Sequence, residues 1–230
     1  FSHAFAESCN TPFAQLAINV GEEELSKEAK NWGFDSDLSI PLKVTPSTYP
    51  HNDSQAQTAM AGIGQASVQA TPLMMAMVAA TVANKGVRVA PRVIDAWIDA
   101  NGKETPQDRP EGVRVISETT AKTLTEMLIG VTQEGGTAES ASINGYLVAG
   151  KTGTTEILTD DSTVASFVGF LPARDPVLAI AVIVNRPEGI YGGTVAAPVF
   201  REVALAAMQA LNIAPDPSVV AARAARNGAG

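Results

Sequence analysis

The sequence predicts an α/β protein of the α+β type, an antiparallel sheet flanked by helices and joined to a mainly helical lobe. Three observations predict it. Apolar residues in the first half recur at helical spacing, as in Phe13, Leu16, Ala17 and Val20. The second half carries three apolar runs in close succession, Tyr146 to Thr155, Val164 to Leu171 and Val177 to Asn185. Their short connections favour antiparallel neighbours over parallel crossovers.

The elements follow in order. Ser8-Cys9-Asn10 precedes a helix with Thr11 as N-cap, Pro12 at the first helical position and the Phe13–Val20 face inward. Gly21 breaks that pattern, and Glu22-Glu23-Glu24 open a second helix, where the macrodipole favours carboxylates. Leu25, Ala29 and Trp32 form its apolar side. Residues 35–67 are rich in Pro, Ser, Thr, Asn, Asp and Gly and read as one long structured loop. Thr71-Pro72 starts a helix that is apolar all round, with Leu73, Met74, Met77 and Val78, and Gly86 ends it. Its methionines read as core filler. A small hairpin from Arg92 turns at Asn101-Gly102 through a type I′ turn. A helix from Ser117 to about Glu134 carries Leu124, Met127, Leu128 and Val131. After the strands, Gly192-Gly193 lead into an amphipathic helix with Val199, Phe200, Val203 and Leu205. The tail after Ala214 is expected to fray. The chain is read as part of one domain: about 1–85 a helical lobe, about 86–211 a sheet lobe, and 212–230 a tail.

Composition narrows the chemistry. With 230 residues and 45% hydrophobic content, the chain can bury a sizeable core. A net charge of −8 argues against nucleic acid, since neutralising phosphates takes clustered Lys and Arg. Solubility alone accounts for the acidic balance. The single cysteine, Cys9, excludes an internal disulfide and a cysteine-rich metal site, and no metal or other cofactor is expected. Cys9 reads as a small apolar filler turned to the core. Neither His3 nor His51 has motif support as a base. The longest apolar candidate, Leu73 to Val82, is too short to span a bilayer.

Candidate chemistry concentrates at Lys151-Thr152-Gly153, which ends an apolar run and is followed by Thr154-Thr155-Glu156. A strand carries glycine where something approaches its backbone closely, or where it bulges. Close approach predicts an edge strand that accepts a peptide by strand addition. A lysine guarding an edge against aggregation would leave the same residue there. Ser8 and Asn10, just before a helix, suit short polar groups pointed into a cleft, but taken alone Ser-x-Asn more readily reads as a plain cap and turn.

In this order and context the two motifs resemble those of the penicillin-binding protein transpeptidases and their relatives, the serine β-lactamases. Gly62-Ile63-Gly64-Gln65, Thr71-Pro72-Leu73 and Ala83-Asn84-Lys85-Gly86 are similar to the middle of class B penicillin-binding proteins. So are Gly135-Gly136-Thr137-Ala138, the run Ser166 to Pro172, and Ala196-Ala197-Pro198-Val199-Phe200, so that the likeness reaches about Leu211. The resemblance implies acyl transfer on a peptidoglycan stem peptide ending in D-Ala-D-Ala: a serine attacks, D-alanine leaves and a second amine accepts the acyl group. β-Lactam antibiotics mimic that dipeptide and would inhibit covalently.

Further roles are implied residue by residue. Ser8 would relay a proton between the catalytic lysine, Lys151 and the leaving amine. Asn10 would fix the substrate's backbone or hold the catalytic lysine. Lys151 would supply positive charge, Thr152 and Thr154 would bond the terminal carboxylate, and Gly153 would keep the strand face clear. The Thr154 backbone N–H would be an oxyanion-hole donor. Peptidoglycan synthesis also implies the extracytoplasmic face of the bacterial membrane, an anchor outside this chain, and cell-wall synthesis proteins as partners.

One departure stands out. The family's nucleophile lies in a Ser-x-x-Lys motif upstream of Ser-x-Asn, and no serine here has a lysine three residues on; three after Ser26 stands Ala29. The expectation is a nucleophile upstream of Phe1 in the same polypeptide, together with two further strands and a covering helix. A degenerate relative is the rival. Two other activities fit the same motifs: a D,D-carboxypeptidase or β-lactamase-type hydrolase, and a non-catalytic β-lactam sensor. A hydrolase of the class A type needs an acidic residue in a loop after Ser-x-Asn, whereas Glu22–Glu24 fall on a predicted helix.

Overall fold

The computed structural model describes residues 1–38, 40–157 and 161–227. The chain opens with α1 (Ser2–Ala6), α2 (Asn10–Val20) and α3 (Glu22–Trp32). Gly21, at φ +88°, ends α2 and starts α3. Cys9, not Thr11, is the N-cap of α2, and it makes no side-chain capping bond. The helix starts early because the end of α1 already sets Cys9 in an extended conformation.

Residues 35–67 are not one loop, for they contain α4 (Gln55–Ala61). Ser54 Oγ accepts from Gln57 N at 3.3 Å, while Gln57 Oε1 accepts from Asp53 N at 2.8 Å. Ser54 three residues before Gln57 is a helix-start signal in the sequence, although Gln57 reaches back to the N–H of Asp53 rather than to that of the N-cap. A side chain at Gly62 would collide with Ala17, so glycine lets the end of α4 sit directly on α2. Ser39, within the expected loop, lies outside the described residues.

α5 (Pro72–Ala83) is capped by Thr71, which accepts from Met74 N at 3.1 Å, and buries Met74, Met77, Ala79 and Val82. Then β1 (Val87–Arg88) pairs with β4 (Val113–Arg114), and β2 (Ala96–Ile98) pairs with β3 (Glu104–Pro106), both antiparallel. The turn between β2 and β3 is not type I′. Asp99 Oδ1 accepts from the N–H groups of Asn101 and Lys103 at 2.8 and 2.9 Å, and Gly102 N donates to Asp99 O at 3.0 Å. Of the turn residues only Gly102 has positive φ, which makes a type I turn followed by a glycine bulge. α6 (Glu118–Val131) starts at Ser117, whose hydroxyl accepts from Thr120 N at 3.0 Å, and stops short of Glu134.

β5 (Ala149–Ile157), β6 (Ser162–Leu171) and β7 (Leu178–Asn185) form one antiparallel sheet in the order β5-β6-β7. The pairs Gly150–Gly169, Lys151–Val168 and Thr152–Phe167 fix its register. β5 begins three residues later than the expected Tyr146, because Tyr146 and Leu147 make other bonds. Tyr146 N donates to Ile143 O at 3.2 Å, and Leu147 O accepts from Ala173 N at 2.7 Å.

α7 (Gly192–Ala210) covers one face of the sheet, with Phe200, Ala204 and Met208 against Phe167, Leu171 and Val148. Phe167 and Phe200 meet edge to face at 4.7 Å. α5 and α6 cover the other face, with Ala79, Val82 and Ile129 around Ala149 and Phe170. Burying each such phenylalanine contributes about 1.5–3 kcal/mol. The tail does not fray as expected, since α8 (Pro217–Asn227) forms beyond it. Asp216 accepts from Ser218 N and Oγ at 2.8 and 2.7 Å, and its own N–H donates to Gly145 O at 2.8 Å. Residues 228–230 of that tail lie outside the described residues. No helix among the described residues is long and apolar enough to cross a membrane.

Candidate active site

Among the described residues no strand pairs with the outer side of β5, so the edge predicted from Gly153 is present. The close approach behind that glycine comes from the protein itself. A Cβ at Gly153 would collide with Ser166 Oγ on β6, and one at Gly192 would lie 2.6 Å from Gly153 O. Glycines thus let the start of α7 press onto β5 beside its free edge.

The Ser8 corner is built by the end of α1. Ser8 N donates to Phe5 O at 3.2 Å and Cys9 N to Ala4 O at 2.9 Å, the paired bonds of a Schellman motif. Ser8 occupies the left-handed position of that motif, at φ +57°, where glycine is the usual residue. Its hydroxyl is thereby presented to β5. Cys9, half-buried with a free thiol, passes the chain straight into α2.

Lys151 crosses the cleft between the two. Its Nζ donates to Ser8 Oγ at 2.8 Å, to Thr152 O at 3.2 Å and, at 3.4 Å, to Thr152 Oγ1. The Phe5 ring lies beneath the ammonium, 6.0 Å from nitrogen to centroid, and Phe5 meets Phe13 edge on at 5.9 Å. Burial lowers the lysine pKa from 10.5 to about 8, because desolvation penalises the charged form. At pH 7 most of the population is still ammonium.

Strand alternation sends Thr152 and Thr154 to the other side of β5. Thr152 Oγ1 shares a hydrogen bond with Thr137 Oγ1 at 2.9 Å, and Thr154 Oγ1 accepts from Gly192 N at 3.2 Å. Asn10 opens α2 on the same corner as Ser8, exposed, with no side-chain hydrogen bond to the described residues. The structure therefore brings Ser8, Lys151 and Thr152 together, with Thr154 along the strand and Asn10 beside them. The acidic run is engaged elsewhere: Glu22 accepts from Asn52 N and Nδ2 at 3.2 and 2.8 Å, and Glu24 pairs with Lys27 at 3.3 Å.

Phe5, Thr137, Gly192 and Gly193 were assigned no part in the site by sequence reasoning. Gly135-Gly136-Thr137 and Gly192-Gly193 stood out as glycine clusters, but nothing local tells which backbone they approach. A separate cavity of about 550 Å³ between the end of α6 and α8, lined by Tyr146, Arg174 and Asp216 among others, includes none of these groups.

The arrangement offers a hydroxyl and an ammonium in contact, two more hydroxyls and an open strand edge. It can hold an extended peptide, attract a carboxylate and pass a proton. The chain matches the family model of the penicillin binding protein transpeptidase domain over residues 1–205. It is 36% identical over 214 residues to the peptidoglycan D,D-transpeptidase PbpA of Mycolicibacterium smegmatis, an alignment covering 90% of this chain and 43% of that protein. To penicillin-binding protein PbpB of the same organism it is 35% identical over 234 residues, covering 93% of this chain and 36% of the other. The fold is shared with penicillin-binding protein A of M. tuberculosis, solved as a ceftriaxone acyl-enzyme complex. There the TM-score is 0.83 at 35% identity, covering 89% of this chain and 47% of that one. The chain thus spans less than half the length of these relatives.

Proposed function

Because the chain belongs to the penicillin-binding protein transpeptidase family, we propose that it carries the substrate-holding part of a serine D,D-transpeptidase site that cross-links peptidoglycan stem peptides. The observation that carries the reading is the 2.8 Å bond from Lys151 Nζ to Ser8 Oγ, which joins two motifs 143 residues apart across one cleft. As a relay, Ser8 needs a proton partner on each side. Lys151 is one, and a pKa near 8 lets it hold or release a proton close to neutrality. No serine here has a lysine three residues on, so no residue of the chain is given the role of nucleophile.

The substrate lies antiparallel along the free edge of β5, over Lys151–Thr155, with its terminal carboxylate near Thr152 and Thr154. Gly192 N already occupies a lone pair of Thr154 Oγ1, which leaves the hydroxyl proton free to donate to that carboxylate. The Thr154 backbone N–H serves the oxyanion, where one lost donor typically costs ~100-fold or more in rate. Asn10, whose side chain makes no hydrogen bond among the described residues, holds the peptide backbone or the catalytic lysine. β-Lactams, as mimics of D-Ala-D-Ala, acylate the same site. The name of the relative, a peptidoglycan D,D-transpeptidase, supports a cell-wall polymer as the substrate, and we assign the chain to the extracytoplasmic side, working with other cell-wall synthesis proteins.

The test uses the intact protein with a fluorescent penicillin on a denaturing gel. We expect a covalent label that pre-incubation with excess unlabelled penicillin prevents. With a D-Ala-D-Ala donor and an amine acceptor, we expect cross-linked product. No label on folded protein overturns the reading, and release of free acid without cross-linked product moves it to a carboxypeptidase.

A further inference from the structure

We propose that Thr137 is a positioning residue for the carboxylate end of the site: its hydroxyl fixes the hydroxyl of Thr152 as a donor toward the cleft. The proposal rests on the transpeptidase reading above. Thr137 touches three of the cleft's elements. Its N–H donates to Ala6 O at 3.2 Å, at the end of α1 and two residues before Ser8. Its hydroxyl bonds Thr152 on β5 at 2.9 Å. Its carbonyl fills the space a side chain at Gly193 would need, at the start of α7.

The segment around it is held rigidly. Gly135 N donates to Glu139 Oε1 at 2.6 Å, Ala138 N donates to Val131 O at 2.9 Å, and a Cβ at Gly136 would strike Val131 O. Ser140 Oγ, from the following turn, donates to Gly193 O at 2.5 Å. Thr137 is exposed nonetheless, so the hydroxyl pair faces open space.

Proton accounting decides what the pair does. Each hydroxyl has one proton and two lone pairs, whereas an ammonium only donates. Thr152 Oγ1 accepts from Lys151 Nζ at 3.4 Å. If Thr152 gave its proton to Thr137, a carboxylate arriving at Thr152 would meet only that oxygen's lone pairs, and the free proton of the pair would lie on Thr137. If Thr137 donates instead, Thr152 accepts two bonds and keeps its proton for the anion. A carboxylate seated at Thr152 is an acceptor only, so it selects the second arrangement, and donation by Thr137 and Lys151 polarises the Thr152 hydroxyl toward it. Thr137 acts through Thr152, without a contact of its own to the substrate.

A double-mutant cycle on the intact protein tests this, reading the acylation rate with a penicillin bearing a free carboxylate and with its ester. Thr137→Val is expected to slow acylation by the free acid about tenfold, the scale of one hydrogen bond. In the Thr152→Val background the same change should cost less than about twofold, and with the ester it should also cost less than about twofold. Thr137→Ala, which adds no bulk, should repeat the pattern if the valine variant folds poorly. An equal loss in both backgrounds, an equal loss with the ester, or no loss at all overturns the role of Thr137. If the unmutated protein takes up no label, the transpeptidase reading falls and this one with it. A labelled parent whose losses are additive overturns only the proposal for Thr137.

Discussion

Lys151→Met keeps the unbranched apolar body of the side chain, one atom shorter, while removing its charge. The folded protein holds that charge reluctantly, since burial draws the pKa from 10.5 to about 8. At about 1.4 kcal/mol per pH unit, this bounds the cost of the buried ammonium at about 3.4 kcal/mol. Ser8 Oγ and Thr152 O lose a donor in exchange, which returns about 1–2 kcal/mol. A net gain of about 1.4–2.4 kcal/mol remains, or a rise in Tm of roughly 3–10 °C for a chain of this size. The sign depends on pH. Between about 8 and 10.5 the unfolded chain binds the proton that the folded one has released, so the parent gains stability as pH rises through that window. The advantage of Lys151→Met should therefore be full at pH 7 and shrink toward pH 10. Paired thermal melts at pH 7 and 9.5 read the difference, and other titrating groups cancel between the two proteins. Acylation by penicillin, measured alongside, should fall ~100-fold or more with the lost electrostatics. A variant less stable than its parent at pH 7, or a difference that does not change with pH, would refute the burial argument. Retained acylation would refute the active-site role.

Other outcomes follow from the same geometry. Thr154→Val removes the acceptor of Gly192 N and the donor proposed for the carboxylate, so binding of a free-acid lactam should weaken about tenfold. Its ester should bind nearly as before, and equal losses would move carboxylate recognition elsewhere. Gly192→Ala sets a methyl against Ser166 O and Gly153 O. Since backbone cannot yield cheaply there, β5 or α7 must shift, and acylation should drop at least about tenfold with a Tm loss of a few degrees; crystals of the variant with β5 unmoved would contradict this. If Lys151 acts as the ammonium, acylation of a free-acid lactam should decline above pH 8, and a pH–rate profile flat to pH 10 would exclude that.

Much of this fold could be read from local pattern, and the exceptions have local causes. α5 declares itself as an all-apolar run, α6 by apolar residues at helical spacing, and β6 and β7 because both sides of the sheet are covered. In α2 and α7 the spacing marks the helix but not its buried face, since Leu16, Val20, Val199 and Val203 are exposed while Ala17, Phe200, Ala204 and Met208 are buried. α4 hides in a polar stretch, with only alanines and Met60 to mark a face. The turn after β2 was misread because Asn-Gly invites a type I′ reading, whereas the Asp99 carboxylate draws in the N–H groups that close a different turn. α8 depends on bonds from the tail to Gly145 and Tyr146, which no local window contains. In the site, Ser8 and Lys151 were legible as motif positions. Thr137 and Gly192 were not, because their parts lie in what a hydroxyl or a missing methyl meets across the fold.

The left-handed conformation of Ser8 sets a trap for anyone improving this protein by its melting point. A residue with a Cβ costs about 1–2 kcal/mol there, and glycine would relieve it. Ser8→Gly relieves that cost and also deletes the hydroxyl that Lys151 reaches, so the lost bond offsets most of the gain. A library ranked on heat resistance alone would therefore let glycine through at this position, and with it clones that lack the proposed relay. A library ranked on acylation would keep the strained serine for that proposed relay.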